Sequence, residues 1–229
     1  GTAESGADYT GAISGSVTIP ANANSVTLEL PVIADLLAED TETVVLTTGI
    51  ISSPYAVTVG NSPRSLNIID QNQAVLTLSG PATITEGQNG TQQATYTVTL
   101  NQATAGSFTV DYLTGNGTAT VADADYQNTT GTLSFGGTAG ETRTFTVPVN
   151  GDLKIEADEN FSVSLTNLVS SATNRPYVQA TPVVTSIVND DSGVITITSQ
   201  NGSETGPAAG AFTFSFPAGV TSDAPTTIY

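Results

Sequence analysis

The sequence contains no cysteine and no histidine, and these two absences exclude a large part of protein chemistry. Without thiolates or imidazoles the chain has no disulfide, no zinc site built from Cys or His ligands, and no Ser-His or Cys-His nucleophile pair. Methionine and tryptophan are also absent, and aromatic residues make up only 6% of the sequence. Most familiar catalytic machinery is therefore excluded.

Basic residues are nearly absent as well. Four Lys and Arg stand against 21 Asp and Glu, which gives a formal net charge of −17. Binding to nucleic acid or to anionic lipid needs a basic surface, so we expect neither partner. Carboxylates at this density repel one another, and divalent cations neutralise them most effectively. No stretch approaches the run of about 20 apolar residues that spans a bilayer, so we expect no membrane insertion in this segment.

Thr, Val, Gly and Ser dominate what is present, a mixture typical of short strands joined by tight turns. The 229 residues, 38% of them hydrophobic, suffice for one large domain or two ordinary ones. Because the chain begins with Gly1 and lacks Met, we expect a processed or excised piece of something longer. An acidic, Cys-free, Thr- and Gly-rich chain also suits a bacterial exterior better than a cytoplasmic enzyme.

An acidic loop occurs twice, at residues 32–44 and 149–161. Each copy carries Asp, Glu and Glu at the same relative positions. Other landmarks recur at the same interval of 117 residues (125 − 8), which indicates an internal repeat of about one domain length. The matched landmarks are Asp8 and Asp125, Pro31 and Pro148, Asp35 and Asp152, and Glu39 and Glu156.

Between the landmarks, polar and apolar residues alternate with a period of two, which predicts half-buried strands. Residues 16–19 and 26–30 show this alternation in the first copy, and residues 132–135 and 143–147 show it in the second. The repeat predicts three units. Residues 1–71 form the C-terminal part of one domain, residues 72–191 a complete domain, and residues 192–229 the N-terminal part of a third.

The two incomplete ends are complementary in sequence. Two interpretations stay open at this point. The chain is nearly one period of a two-domain repeat in a very long fibre, or a neighbouring copy supplies the missing strands.

Five motifs together resemble the Calx-beta family. They are Glu86 followed by Gly87, the Gly-Thr-Ala to Asp-Tyr segment at 117–126, the Val-Pro-Val at 147–149, the acidic run at 152–161, and the Ile-Val-Asn-Asp-Asp at 187–191. The resemblance extends over the middle unit and over both partial units as far as they go. It implies tandem immunoglobulin-like antiparallel β-sandwiches of about seven strands, an all-β fold with calcium-binding loops at one end.

The resemblance also implies the calcium ligands. In the middle unit they are Glu86, Asp125, Asp152, Glu156, Asp190 and Asp191, with Asp123 as a further candidate. In the first unit they are Asp8, Asp35 and Glu39. Gly151 and Asn189 stand where the family often has Asp, so a two-ion site is expected to be reduced. We expect Glu42 and Glu159 to be structural, at the base of the following strand.

A simpler interpretation applies to any one of these acids, because Asp is common in turns and most exposed carboxylates are only solvated. It does not explain why the whole set recurs with its Pro, Tyr and Gly neighbours.

Three functions compete at this stage. The first is a calcium-stiffened stalk repeat of a bacterial cell-surface adhesin or filament, whose partners are neighbouring repeats and the cell-surface or secretion machinery. The second is an adhesin module that binds sugar, ice or a partner protein, for which the usual Trp platform is missing. The third is an enzyme that uses paired carboxylates. A repeated module suits a unique active site poorly, so we expect no enzyme.

Overall fold

The computed structural model describes residues 1–11, 14–170, 176–178, 181–206 and 208–229. Regular structure within these residues is entirely β, which confirms the predicted all-β fold. No helix in this part of the chain has the length and apolarity needed to cross a membrane. The strands are β1 (Glu42–Leu46), β2 (Arg64–Ile68), β3 (Val75–Ser79), β4 (Thr83–Thr85), β5 (Thr91–Leu100), β6 (Phe108–Asn116), β7 (Thr130–Phe135), β8 (Thr142–Asn150), β9 (Lys154–Ile155), β10 (Glu159–Ser170), β11 (Tyr177–Val178), β12 (Val183–Val188), β13 (Thr196–Gln200), β14 (Ala211–Ser215) and β15 (Thr221–Ser222).

The middle segment, residues 72–191, folds into a sandwich of two sheets. One sheet has the order β4-β12-β10-β6-β7 and the other the order β11-β3-β5-β8. The central pairs are antiparallel, whereas the short strands β4 and β11 join their neighbours in parallel. With these two short strands, the described part of the sandwich has nine strands instead of about seven. The predicted immunoglobulin-like sandwich is confirmed.

The core lies between the two sheets and follows the period of two seen in the sequence. Strand β5 buries Ala94, Tyr96, Val98 and Leu100, every second residue. The Tyr96 ring stacks on Phe145 of β8, with ring centroids 5.5 Å apart. The facing sheet contributes Phe108, Val110, Leu133, Phe135, Phe161, Val163 and Ile187.

In the described residues of the first segment, 1–11 and 14–71, the strands are β1 and β2, which pair with each other in antiparallel fashion. Glu42 lies opposite Ile68, in the register that places Glu159 of β10 opposite Ile187 of β12. The repeated sequence therefore forms the same hairpin in both segments.

The strands predicted at residues 16–19 and 26–30 are wrong, because the structure assigns no strand there. Their counterparts in the middle segment, β7 and β8, are stabilised because they pair with β6 and β5, respectively. No described residue pairs in that way with 16–19 or 26–30, and an isolated strand has no ladder to stabilise it. Val17 and Leu28 are consequently 58% and 66% exposed.

The third segment, residues 192–229, contains the antiparallel hairpin of β13 and β14. Ile197 lies opposite Phe214, just as Leu78 lies opposite Val98 in the middle segment. Phe214 is 49% exposed, however, whereas Val98 is fully buried. The division of the chain into three domains at residues 71/72 and 191/192 stays a prediction.

Consecutive segments are joined by a short backbone contact that occurs at both junctions. Ala38 of the first acidic loop donates its N–H to the carbonyl of Ala103 (3.0 Å), and its own carbonyl accepts from Ala105 N–H (3.1 Å). In the second acidic loop, β9 pairs in parallel with β15, and Ile155 accepts from Asp223 N–H at 3.2 Å. Each acidic loop thus contacts the segment that follows it.

Candidate metal centre

The two acidic loops begin with the same turn. Asp35 Oδ1 accepts a hydrogen bond from Leu37 N–H at 2.8 Å, and Asp152 Oδ1 accepts one from Lys154 N–H at 2.7 Å. Aspartate favours such turns because its side chain reaches the backbone two residues on. This bond uses one carboxylate oxygen and leaves the other available to a ligand.

A buried aspartate is fixed beside each acidic loop. Asp125 is 6% exposed, and its Oδ2 accepts from Thr120 N–H at 2.6 Å. Its carbonyl accepts from Asn150 N–H at 2.9 Å, at the end of β8 where the loop begins. The first segment repeats both bonds, from Glu4 N–H to Asp8 Oδ2 at 2.5 Å and from Ile33 N–H to the Asp8 carbonyl at 2.8 Å.

Three carboxylates of the middle segment converge on one point. One oxygen from each of Asp125, Glu156 and Glu159 lies within 4.8 Å of the other two. Glu159 was expected to be structural, and it does begin β10, but its carboxylate faces this cluster. The signal that could have identified it was present, because Glu42 and Glu159 recur at the same interval as the other landmarks.

A second group of carboxylates surrounds Glu86. The Glu86 side chain is buried, 2% exposed, and its Oε1 has no hydrogen-bond partner among the described residues. Asp191 Oδ2 is likewise buried without a partner in the described structure. Asp190 Oδ1 accepts from Gly87 N–H at 3.1 Å, which holds the closing acidic pair against the Glu86 loop. Buried carboxylate oxygens without donors are costly, and a cation would satisfy them.

The pKa shifts show how crowded the negative charge is. Burial raises the pKa of Glu86 to about 7, and the charges of Glu156, Asp152, Asp191 and Asp190 add to that effect. Burial likewise raises the pKa of Glu159 to about 7, with a hydrogen bond to Asp125 as the next cause. Glu156 therefore lies between the two groups and affects both.

We call this set the acidic pole. Its members are Glu86, Asp125, Asp152, Glu156, Glu159, Asp190 and Asp191.

One base, Lys154, reaches the acidic pole within the described residues. Its Nζ forms an ion pair with Glu156 Oε2. The Glu156 side chain is 5% exposed there, and that of Lys154 is 32% exposed. A single ammonium cannot balance seven carboxylates, so the pole keeps a strong negative charge.

The first segment has a smaller version of this arrangement. Asp8, Asp35, Glu39, Glu42 and Asp70 line a cleft of about 280 Å³. Burial raises the pKa of Glu42 to about 7, and a hydrogen bond with Asp8 is the next cause. Burial and the charges of Asp8, Asp35 and Asp70 raise the pKa of Glu39.

The structure thus brings together the residues predicted from sequence in two places. Glu86, Asp152, Asp190 and Asp191 form one group of the acidic pole, Asp125 and Glu156 belong to the other, and Asp8, Asp35 and Glu39 share the first-segment cleft. Asp123 lies at the edge, where its Oδ2 accepts from the Thr120 hydroxyl at 3.2 Å. Their role as metal ligands stays a prediction.

Gly151, where an additional acid was expected in the family pattern, has a steric reason. A Cβ at this position would lie 2.1 Å from the carbonyl oxygen of Gly87 and 2.7 Å from that of Glu86. The loop that carries Glu86 therefore approaches the end of β8 too closely for any side chain at residue 151. Glycine at position 151 lacks a carboxylate, but it allows the backbone of Glu86 and Gly87 to approach the end of β8 and so places Glu86 at the acidic pole.

The donor set fits a hard cation. Every candidate ligand is an oxygen, and calcium takes 6–8 oxygens from flexible loops. Soft metals prefer sulfur or imidazole, which this chain lacks. Three buried carboxylate oxygens have no hydrogen-bond partner among the described residues: Glu86 Oε1, Asp191 Oδ2 and Glu156 Oε2, the last of which has an ion pair with Lys154. The oxygens of Glu86 and Asp191 are where a bound cation would relieve the largest penalty.

The Calx-beta domain family matches the chain at residues 1–72 and 70–193. Among solved structures, the chain is similar to the crystal structure of the apo-form Calx CBD1 domain, with 23% identity and a TM-score of 0.43 over 52% of this chain and 100% of that one. It is also similar to the crystal structure of CBD12 from CALX1.2 (24% identity, TM-score 0.42, 51% of this chain and 46% of that one). The crystal structure of the calcium binding domain CBD12 of CALX1.1 gives 25% identity and a TM-score of 0.41 over 52% and 45%. The chain thus spans under half the length of these last two structures, and no curated protein sequence matches it.

Proposed function

The chain belongs to the Calx-beta domain family, and from this premise we propose that it is a calcium-binding structural repeat of a long extracellular bacterial adhesin or surface fibre. In this proposal calcium binds at the acidic pole and at the first-segment cleft and makes the array of domains rigid. The carboxylates serve as calcium ligands and not as catalytic groups.

The observation that carries the proposal is that two buried carboxylate oxygens, Glu86 Oε1 and Asp191 Oδ2, have neither a hydrogen-bond donor nor an ion pair among the described residues. They belong to opposite ends of the middle segment's sequence and meet at one end of its sandwich. A protein that buries carboxylates beside other carboxylates needs a counter-charge, and divalent cations supply it through direct coordination. The solved CBD12 structure of CALX1.1 is described as a calcium binding domain, which supports the same cation here.

The stiffening role is supported by the junctions. Each acidic loop carries two predicted ligands and, between them, the residues that pair with the following segment. In the first loop Ala38, between Asp35 and Glu39, is 1% exposed under residues 103–105. A cation that fixes the loop would therefore also fix the edge to which the next segment is hydrogen-bonded.

The cellular setting is supported by composition. A net charge of −17 without Cys, His or Met suits an exported repeat that meets calcium outside the cell. In this setting the partners are neighbouring repeats of the same fibre and the cell-surface or secretion machinery.

The test is thermal unfolding of the full chain in calcium, in magnesium and in chelator. We expect calcium to raise the melting temperature, since a ligand at 100 times its Kd stabilises the folded state by about 2.7 kcal/mol. Glu156→Gln should remove most of this gain, and the matched control Glu29→Gln, which removes one charge from an exposed position, should keep it. Equal melting temperatures in calcium and chelator would argue against the proposal.

A further inference from the structure

Lys154 occupies an unusual position for a base. It lies in the acidic loop between two predicted calcium ligands, Asp152 and Glu156, and its ammonium pairs with Glu156 Oε2. Its backbone is held on two sides, by the bond from Lys154 N–H to Asp152 Oδ1 at 2.7 Å and by pairing with Thr221 of β15. The backbone of Lys154 is therefore fixed, and its side chain places the ammonium within the acidic pole, next to Glu156.

The ammonium and a divalent cation would compete for the same carboxylate, Glu156. The ammonium of Lys154 forms an ion pair with Glu156 Oε2, and calcium at the same carboxylate would meet this positive charge at close range. Calcium at Glu156 is therefore favoured when Lys154 moves away, because the two positive charges then no longer repel. In the absence of calcium, the same contact offsets part of the repulsion among the carboxylates.

The first segment offers a natural control. Leu37 stands at the position equivalent to Lys154 and makes the same backbone bond, from its N–H to Asp35 Oδ1 at 2.8 Å. The two loops thus share their local fold, but only the second has a positively charged side chain at this position. This difference is independent of how many further ligands each site has.

We propose that Lys154 is a tethered competitor of calcium, which occupies Glu156 in the calcium-free protein and lowers the calcium affinity of the middle-segment site. The inference rests on the proposed function and adds a residue that sets the affinity of that site. It also assigns a second effect to the same lysine, which is stabilisation of the calcium-free state.

The experiment uses calcium titration calorimetry and thermal unfolding on the full chain in a Glu39→Gln background, which removes a predicted ligand of the first segment so that the titration reports the middle one. Lys154→Leu installs the residue of the first loop. We expect it to bind calcium roughly tenfold more tightly, the factor that corresponds to about 1.4 kcal/mol, and to melt at a lower temperature in chelator. Lys154→Arg keeps the charge and should keep the weaker binding.

Competition predicts that Lys154→Leu raises the calcium affinity but lowers the melting temperature in chelator. These opposite changes distinguish competition from a purely structural role. A lysine that only supports the loop would, when replaced by Leu, lower both the calcium affinity and the melting temperature in chelator, and this result would overturn the inference. If the background protein binds calcium and Lys154→Leu binds it equally well, the inference fails and the proposed function stands. If the parent chain binds no calcium at either site, both fail together.

The reciprocal variant is Leu37→Lys, which adds a lysine to the first acidic loop. It is made in a Glu156→Gln background, which removes a predicted ligand of the middle segment and leaves the first segment intact. It should weaken calcium binding at the first-segment cleft. Unchanged affinity there would contradict competition by a tethered ammonium.

Discussion

The first and middle segments carry the same acidic loop and the same hairpin register, but only the middle segment closes a core around them. The turn at Asp35 matches the turn at Asp152 in donor and distance. The equivalent apolar positions differ greatly in exposure. Val17 is 58% exposed where Leu133 is 8% exposed, and Leu28 is 66% exposed where Phe145 is 9% exposed.

This difference separates local from long-range causes of structure. The turn of each acidic loop forms in both segments because its hydrogen bond joins residues two positions apart. The β1–β2 pair and its β10–β12 counterpart form in both because each segment contains both partner strands. The sandwich needs β5 and β6, which supply the partners of β8 and β10 from distant parts of the chain. The turns of the acidic loops thus depend on local sequence, whereas the gathering of carboxylates around them and their burial depend on distant parts of the chain.

The largest expected difference between the segments is in core truncation. Phe161 is fully buried and stacks on Tyr126 with centroids 4.6 Å apart, so Phe161→Ala should cost about 3–5 kcal/mol. The equivalent Val44→Ala should cost less than about 1.5 kcal/mol, because the smaller side chain is only half-buried. Urea unfolding followed by circular dichroism measures both. Similar costs would mean that the first segment has a closed core of its own.

The next largest difference is at the glycine beside the acidic loop. Gly151→Ala should cost about 1–3 kcal/mol, since the new Cβ would collide with the Gly87 carbonyl. The equivalent residue in the first segment is Ala34, which is exposed and faces no such loop. Ala34→Gly should therefore change the melting temperature much less. A harmless Gly151→Ala would show that the Glu86 loop can move away from β8.

The smallest difference is in pH dependence. The pKa values of Glu159 and Glu42 are both raised from 4.5 to about 7, so the folded protein holds these protons more tightly than the unfolded chain does. In chelator, the stability conferred by protonation is fully present below pH 4.5 and is lost as pH rises through about 7. Glu86 adds the same dependence in the middle segment alone.

Urea midpoints measured in chelator between pH 4.5 and 7.5 should therefore fall for both segments, and slightly more for the middle one. Glu86→Gln should reduce that excess. Saturating calcium should reverse the trend, because it binds the deprotonated carboxylates. A midpoint that rises with pH in chelator would contradict the assignment.

The alternation at residues 132–135 and 143–147 predicted β7 and β8, and the recurrence of Asp35 and Asp152 predicted both acidic loops. The sandwich itself was implied by the resemblance to the Calx-beta family and not by the alternation. The strands at 16–19 and 26–30 were predicted wrongly because alternation reports which face is apolar and does not report whether a partner strand is present. Glu159 belongs to the carboxylate cluster because the side chain of this first residue of β10 faces Asp125 and Glu156. The sequence pattern alone does not show which face of the strand that is. The pairing of Ala38 with residues 103–105 joins chain segments with no sequence signal in common.

That pairing has a geometric consequence. Both junctions use the centre of the acidic loop and a stretch of the following segment that comes shortly after β5 in the middle segment and after β14 in the third. One contact repeated along a chain applies one rotation and one translation at every step, which defines a screw axis. A long array built from these repeats would then be a superhelix of constant pitch, and loss of the contact at a single junction would introduce one kink.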